Sequence, residues 1–129
     1  MKLEHVALDV PDPEAFIGWW CANLGFRRAA PESVFILDDS GIMGIEVYRT
    51  KDTPAAPSYA TMNSMTFHIA FVSDDVSSDT ARLVAAGATF EKGSRNPDGF
   101  EVAFLRDPWG VSFQFCHRPK SIFLPPRAG

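Results

Sequence analysis

His5-Val6-Ala7-Leu8 and His68-Ile69-Ala70-Phe71 write one pattern twice: a histidine, a β-branched residue, an alanine and a large apolar residue. Each stretch runs into a polar turn, Val10-Pro11-Asp12 in one case and Ser73-Asp74-Asp75 in the other. Each turn leads into a helical pattern, and an internal repeat of this kind decides the architecture before any single element does. The first helix is expected over Pro13 to Leu24, with Asp12 as N-cap, Pro13 at the first helical position and Gly25 as the stop. The second runs from about Asp74 to Ala86 and stops at Gly87, with Val76, Thr80, Leu83 and Val84 giving the apolar spacing. Later in each half a strand-like stretch recurs, Ile45-Glu46-Val47-Tyr48 matching Phe113-Gln114-Phe115-Cys116.

Each half therefore reads β-α-β-β-β. Strands are expected at about 3–10, 26–30, 33–38 and 42–49, then at 65–72, 88–92, 100–106 and 111–117. The fold class is α+β: one domain over 1–129, with module 1 at about 1–50, a linker at 51–64 containing Pro54 and Pro57, module 2 at about 65–117 and a tail at 118–129. A unit of one helix and four strands buries little alone, so the two modules are expected to share a sheet system. Hydrophobic residues are 46% and charged residues 22% of the 129, ordinary values that exclude a disordered chain. A net charge of −4 argues against nucleic acid and anionic lipid as partners. No apolar run approaches a membrane span, and Met1-Lys2-Leu3-Glu4-His5 does not open a secretory signal. With only Cys21 and Cys116, the default location is a reducing cytoplasm.

Side chains alternate faces along a strand. Val6, Leu8 and Val10 share one face while His5 and Ala7 oppose them. In 65–72 the apolar set is Phe67, Ile69 and Phe71, opposed by Thr66, His68 and Ala70. Ile45 and Val47 oppose Gly44, Glu46 and Tyr48, and Val111, Phe113 and Phe115 oppose Ser112, Gln114 and Cys116. Four strands thus place His5, Glu46, His68 and Gln114 at one parity beside small residues that leave room for a ligand. Two imidazoles, a carboxylate and an amide suit a divalent metal such as Ni, Co, Zn, Mn or Fe with open positions. A lone histidine or glutamate on a strand is usually structural or solvent-facing; the recurrence at equivalent repeat positions is the signal. His117, at the strand end with opposite parity to Gln114, reads as a surface residue.

Paired βαβββ modules resemble the vicinal-oxygen-chelate superfamily, which includes glyoxalases, bleomycin-binding proteins and extradiol dioxygenases. The residues that carry the match are Leu3 to Asp12, Asn23-Leu24-Gly25-Phe26, Phe67 to Phe71 and Phe104-Leu105-Arg106-Asp107-Pro108-Trp109-Gly110. The resemblance implies a cupped, incompletely closed mixed β-barrel, and metal ligands at His5, Glu46, His68 and Gln114. It implies a glyoxalase-like lyase or isomerase that acts on a small substrate with vicinal oxygens through an enediolate, with glutathione as a possible co-substrate. Glu46, the only carboxylate of the set, is expected to be the base, a ligand, or both. Gln114 departs from the family pattern: an amide oxygen can ligate, but it carries no charge and cannot act as a base.

The runner-up reading is a non-catalytic binder of drug-like molecules, of the bleomycin-resistance type. It is motivated by Gln114 and by an aromatic supply that includes Tyr48, Phe104 and Trp109. Tyr48 and Trp109 are the expected substrate contacts. An extradiol dioxygenase ranks below both, because its carboxylate would fall at Gln114, and an epimerase ranks below both for want of a second base. Open sheet edges point to a homodimer. Asp38-Asp39 and Asp74-Asp75 read as turn or cap acids, Asn96-Pro97-Asp98-Gly99 as a turn, and Cys116 as a small buried thiol.

Overall fold

The computed structural model describes residues 1–50, 58–125 and 127. The chain divides into two compact units, Met1–Tyr59 and Ala60–Gly129, a division that falls inside the expected linker. Pro54 and Pro57 of that linker, and Pro126 of the tail, lie outside the described residues.

The first unit orders its elements as β1 (His5–Asp9), α1 (Pro13–Asn23), β2 (Arg27–Arg28), β3 (Phe35–Leu37) and β4 (Gly44–Tyr48). Helix α1 begins where expected. The Asp12 carboxylate accepts from the Ala15 amide at 3.1 Å, and Pro13 occupies the first turn, where its missing N–H costs nothing. It ends as Leu24 bonds back to the Trp20 carbonyl and Gly25 turns the chain at φ +73°. Phe16, Ile17 and Trp20 are its buried face, with Phe16 stacked on Trp20 at 4.9 Å and Phe26 edge-on to Trp20 at 5.4 Å. They pack toward β4, whose Ile45 and Val47 are buried. The sheet order is β1-β4-β3-β2: β1 runs parallel to β4, and the other pairs are antiparallel.

The second unit repeats the plan: β5 (Ile69–Val72), α2 (Val76–Ala85), β6 (Thr89–Arg95), β7 (Glu101–Arg106) and β8 (Ser112–His117), in the order β5-β8-β7-β6 with β5 parallel to β8. Asp75 caps α2, accepting from the Ser78 amide at 2.9 Å. Val76 and Leu83 are buried, but Val84 turns outward, so the apolar face of α2 is narrower than the spacing suggested. The α+β class and the two βαβββ modules hold; among the described residues the strands pair within each module as its own open four-stranded sheet, not in one sheet shared by both.

Several strands are shorter than expected because local turns capture their backbone groups. Expected strand 65–72 begins only at Ile69. The Asn63 side chain takes the Met65 amide at 2.8 Å, and the Asn63 carbonyl takes the Thr66 amide at 2.9 Å, which curls the chain ahead of His68. Likewise, the Ser33 hydroxyl takes the Phe35 amide at 3.0 Å and delays β3. Strand β6 is longer than expected and carries an irregularity between Phe90 and Lys92. Two glycines are required by close approach: a Cβ on Gly44 would meet the Ile36 carbonyl oxygen at 2.7 Å, and one on Gly110 would meet Ala60 Cα at 2.6 Å. No helix among the described residues is long and apolar enough to cross a membrane.

Candidate functional site

Parallel pairing in the first unit puts Ala7 opposite Glu46 and His5 opposite Gly44. Gly44 has no side chain, so the imidazole of His5 can lean along β4 toward Glu46. His5 Nε2 lies 3.2 Å from Glu46 Oε2, and both side chains are about two-thirds buried, at 32% and 31% exposure. On the other side of the ring, Nδ1 meets Glu4 Oε1 at 2.9 Å. A carboxylate can only accept, so Nδ1 is the donor that orients the ring. The Phe35 ring, on the residue paired with Glu46, stands edge-on to His5 with centroids 5.1 Å apart.

The second unit has a related arrangement, with Gln114 in the place of Glu46 and a backbone carbonyl in the place of the Glu4 carboxylate. His68 Nδ1 lies 2.8 Å from the Ser64 carbonyl oxygen. That oxygen also can only accept, so the proton sits on Nδ1 and the Nε2 lone pair is left for another partner. The Phe104 ring stands edge-on to His68, again with centroids 5.1 Å apart, and Phe104 is paired with Gln114. His5, Phe35 and Glu46 in one unit thus correspond to His68, Phe104 and Gln114 in the other. Gln114 is 9% exposed. Two buried hydroxyls have no hydrogen-bond partner among the described residues: Ser112 Oγ, two residues before Gln114 on the same face of β8, and Ser64 Oγ, on the residue whose carbonyl holds His68. Unpaired buried hydroxyls are uncommon and mark places where a water, ion or ligand completes the bonding.

Sequence parity singled out the two histidines, Glu46 and Gln114; the structure brings His5 to 3.2 Å from Glu46, while His68 lies just ahead of β5 and shares with Gln114 the neighbour Phe104. Parity missed Phe35, Glu4 and Ser64. The last two follow from the local turns and ring orientation, which no periodicity carries; Phe35 follows from hairpin register. Tyr48 shares the Glu46 face of β4 and is half-buried. Trp109 sits in the β7–β8 turn, where its amide donates to Asp107 Oδ1 at 2.9 Å, and it is partly exposed. His117, expected at the surface, is half-buried, with Nδ1 3.1 Å from the Ser73 carbonyl. Cys116 is buried, as expected. The acids of Asp38 and Asp75 serve turns and caps, Asp38 Oδ1 accepting from Ser40 Oγ at 2.6 Å.

The donor chemistry fits a divalent ion. Ligand atoms each about 2.1 Å from one ion are separated by about 3.0–3.4 Å at octahedral to tetrahedral angles, the spacing His5 Nε2 and Glu46 Oε2 show. A histidine ligand is usually held by a hydrogen bond from its other ring nitrogen, as both rings are here. Among the described residues, no group of three or more His, Cys, Asp and Glu side chains is gathered for an ion.

The sequence matches the family described as Glyoxalase-like domain over residues 5–116. No curated protein matches it significantly. Among solved structures, a glyoxalase-related enzyme from Fulvimarina pelagi aligns over 92% of this chain and 89% of its own, at 17% identity and a TM-score of 0.68. A member of the glyoxalase/bleomycin resistance protein/dioxygenase superfamily from Sphaerobacter thermophilus DSM 20745 aligns over 92% and 98%, at 16% identity and a TM-score of 0.68. TnmS3, an antibiotic-binding protein from Streptomyces sp. CB03234, aligns over 91% and 95%, at 18% identity and a TM-score of 0.68. At these identities the likeness is one of fold.

Proposed function

This chain belongs to the glyoxalase-like domain family, and from that premise we propose that it is a metal-dependent lyase or isomerase acting on a small substrate with vicinal oxygens. The residues assigned to divalent-metal binding are His5 and Glu46 in one module and His68 and Gln114 in the other. The observation that carries the reading is the tethering of each histidine through Nδ1, by Glu4 and by Ser64, which leaves the Nε2 lone pair as the ligating atom. A divalent ion supplies Lewis-acid polarisation of a substrate carbonyl. The Glu46 carboxylate takes the proton from the carbon beside that carbonyl and returns it to the neighbouring carbon. Phe35 stands edge-on to the His5 imidazole and Phe104 edge-on to that of His68. The buried Gln114 amide offers an oxygen without charge, and the Ser112 hydroxyl offers a further hydrogen bond to a substrate oxygen. Tyr48 and Trp109 are assigned to substrate contact, and a homodimer is part of the same reading.

Elemental analysis after loading with Ni, Co, Zn, Mn or Fe tests it first. A stoichiometric ion is expected in the parent chain, with loss in His5→Ala and His68→Ala. Turnover of the hemithioacetal of methylglyoxal and glutathione is expected in the loaded chain, with loss of about a hundredfold or more in Glu46→Gln. Full activity of Glu46→Gln would remove Glu46 as the base.

A second reading, a binder of flat organic molecules, is favoured by the amide at Gln114 and by the aromatic rings set edge-on to both histidines. The similarity of fold to an antibiotic-binding protein is compatible with it. It predicts tight ligand binding in a chain with no measurable affinity for any of these ions.

A further inference from the structure

Arg106 closes β7, paired with Ser112 of β8. Its side chain is mostly buried, at 16% exposure. Nη1 donates to the Gly110 carbonyl at 3.1 Å, in the β7–β8 turn. Nη2 donates to the Met62 carbonyl at 2.8 Å and to Glu91 Oε1 at 3.2 Å. A guanidinium presents its N–H donors in a rigid planar fork. The Glu91 carboxylate on β6 therefore aims the group while it grips the two carbonyls.

Met62 lies two residues before Ser64, whose carbonyl holds His68 Nδ1 at 2.8 Å. Asn63, between them, curls the chain: its side chain takes the Met65 amide and its carbonyl the Thr66 amide. Residues 62–68 belong to no strand, so no ladder fixes this segment. Two contacts from the β7–β8 hairpin do so instead. One is the Arg106 bond to Met62. The other is the close approach of Gly110 to Ala60, where a Cβ would lie 2.6 Å from the Ala60 Cα. The tethers of His5 and His68 thus differ in kind. His5 leans on the Glu4 side chain, which is 87% exposed and keeps rotamer freedom. His68 leans on a backbone carbonyl whose place is set by its neighbours.

We propose that Arg106 is a positioning residue for His68. By holding the Met62 carbonyl it keeps the Ser64 carbonyl at Nδ1, fixes the ring in the Nδ1–H tautomer and leaves the Nε2 lone pair for an ion. The same guanidinium holds the Gly110 carbonyl, next to Trp109. One side chain therefore sets both a ligating nitrogen and the turn that carries an assigned substrate contact. The inference rests on the metal reading only for its effect on ion binding; the tautomer needs no ion.

The test is a proton–nitrogen correlation spectrum of the full chain with nitrogen-labelled histidine and a chelator. It is recorded about two units above the ordinary histidine value, where free imidazole is neutral. His68 is expected in the Nδ1–H tautomer. Arg106→Met keeps the stem and removes the donors. It should lower the ratio of Nδ1–H to Nε2–H at His68 about fivefold, the worth of roughly one hydrogen bond. His5, in the other unit, and His117, tethered to the Ser73 carbonyl, should keep their ratios. Arg106→Lys retains the charge and a donor and should lower the ratio less; it reads the effect if the Met variant does not fold. An unchanged ratio at His68 overturns the proposal. An equal shift at all three histidines marks general loosening and overturns it as well. In calorimetric titration with Ni, Arg106→Met should weaken binding about fivefold or more. Equal affinity in parent and variant overturns the role toward the ion. A parent that binds no Ni overturns the metal reading alone, and the tautomer ratio then decides this proposal.

Discussion

At the scale of single residues, Gln114 is the position where this chain departs most from a charged metal site. Gln114→Glu should raise divalent-metal affinity by about tenfold, because a carboxylate adds a full charge to the donor set. The same variant should lower the melting temperature of the metal-free chain, since a carboxylate at 9% exposure loses its hydration. Calorimetric titration and thermal unfolding with a chelator read the two signs separately. Tyr59 supplies a second residue-scale expectation. Burial pushes its hydroxyl above the ordinary value of 10.0, partly opposed by a backbone hydrogen bond at Asp9. A group whose folded value is raised contributes stability that is full below its unfolded value. That contribution is lost as the pH rises through the raised folded value. Denaturant unfolding above pH 10 should therefore show a decline in stability that Tyr59→Phe removes. The Cys21 thiol is also pushed up, by burial and against the pull of Arg28. Its alkylation at alkaline pH should be slower than that of a free thiol.

At the scale of elements, the two helices are bounded by the same chemistry, an aspartate N-cap after a polar turn. Asp12→Ala and Asp75→Ala should each cost about 1 kcal/mol, measured by denaturant titration. Gly44 is a stricter constraint. It sits opposite His5 where β4 meets β3, and Gly44→Ala would press a methyl group against the Ile36 carbonyl. A loss of about 1–3 kcal/mol is expected from that overpacking, together with displacement of the His5 ring. The element boundaries that parity misplaced were those governed by side chains bonding to nearby backbone. Ser33 and Asn63 delay the start of strands that hydrophobic alternation alone would have begun earlier.

At the scale of the whole molecule, both sheets are open, and the edge strand β6 is exposed along all seven residues, Phe90 included. A long bare edge invites pairing unless it is covered. Light scattering should give twice the 14.2 kDa chain mass, and Phe90→Asp should shift the chain toward monomer. A parent chain that scatters as a monomer would remove the homodimer from the proposed function.

The sequence by itself determined the repeat, the order of elements in each module and the four residues at one parity. These follow from local signals: caps, glycine stops and the two-residue period of a strand. Ala70 and Gln114, far apart in the chain, were correctly assigned to matching faces because parity survives whatever pairing the strand adopts. Only the tertiary structure decided what surrounds those residues. That His5 leans on Glu46 depends on the register that sets it opposite Gly44. That His68 is tied to Ser64 depends on a turn made by Asn63. That Arg106 reaches the Met62 carbonyl depends on where an irregular segment comes to rest. Periodicity reports which way a side chain faces; pairing register and irregular backbone determine what it meets.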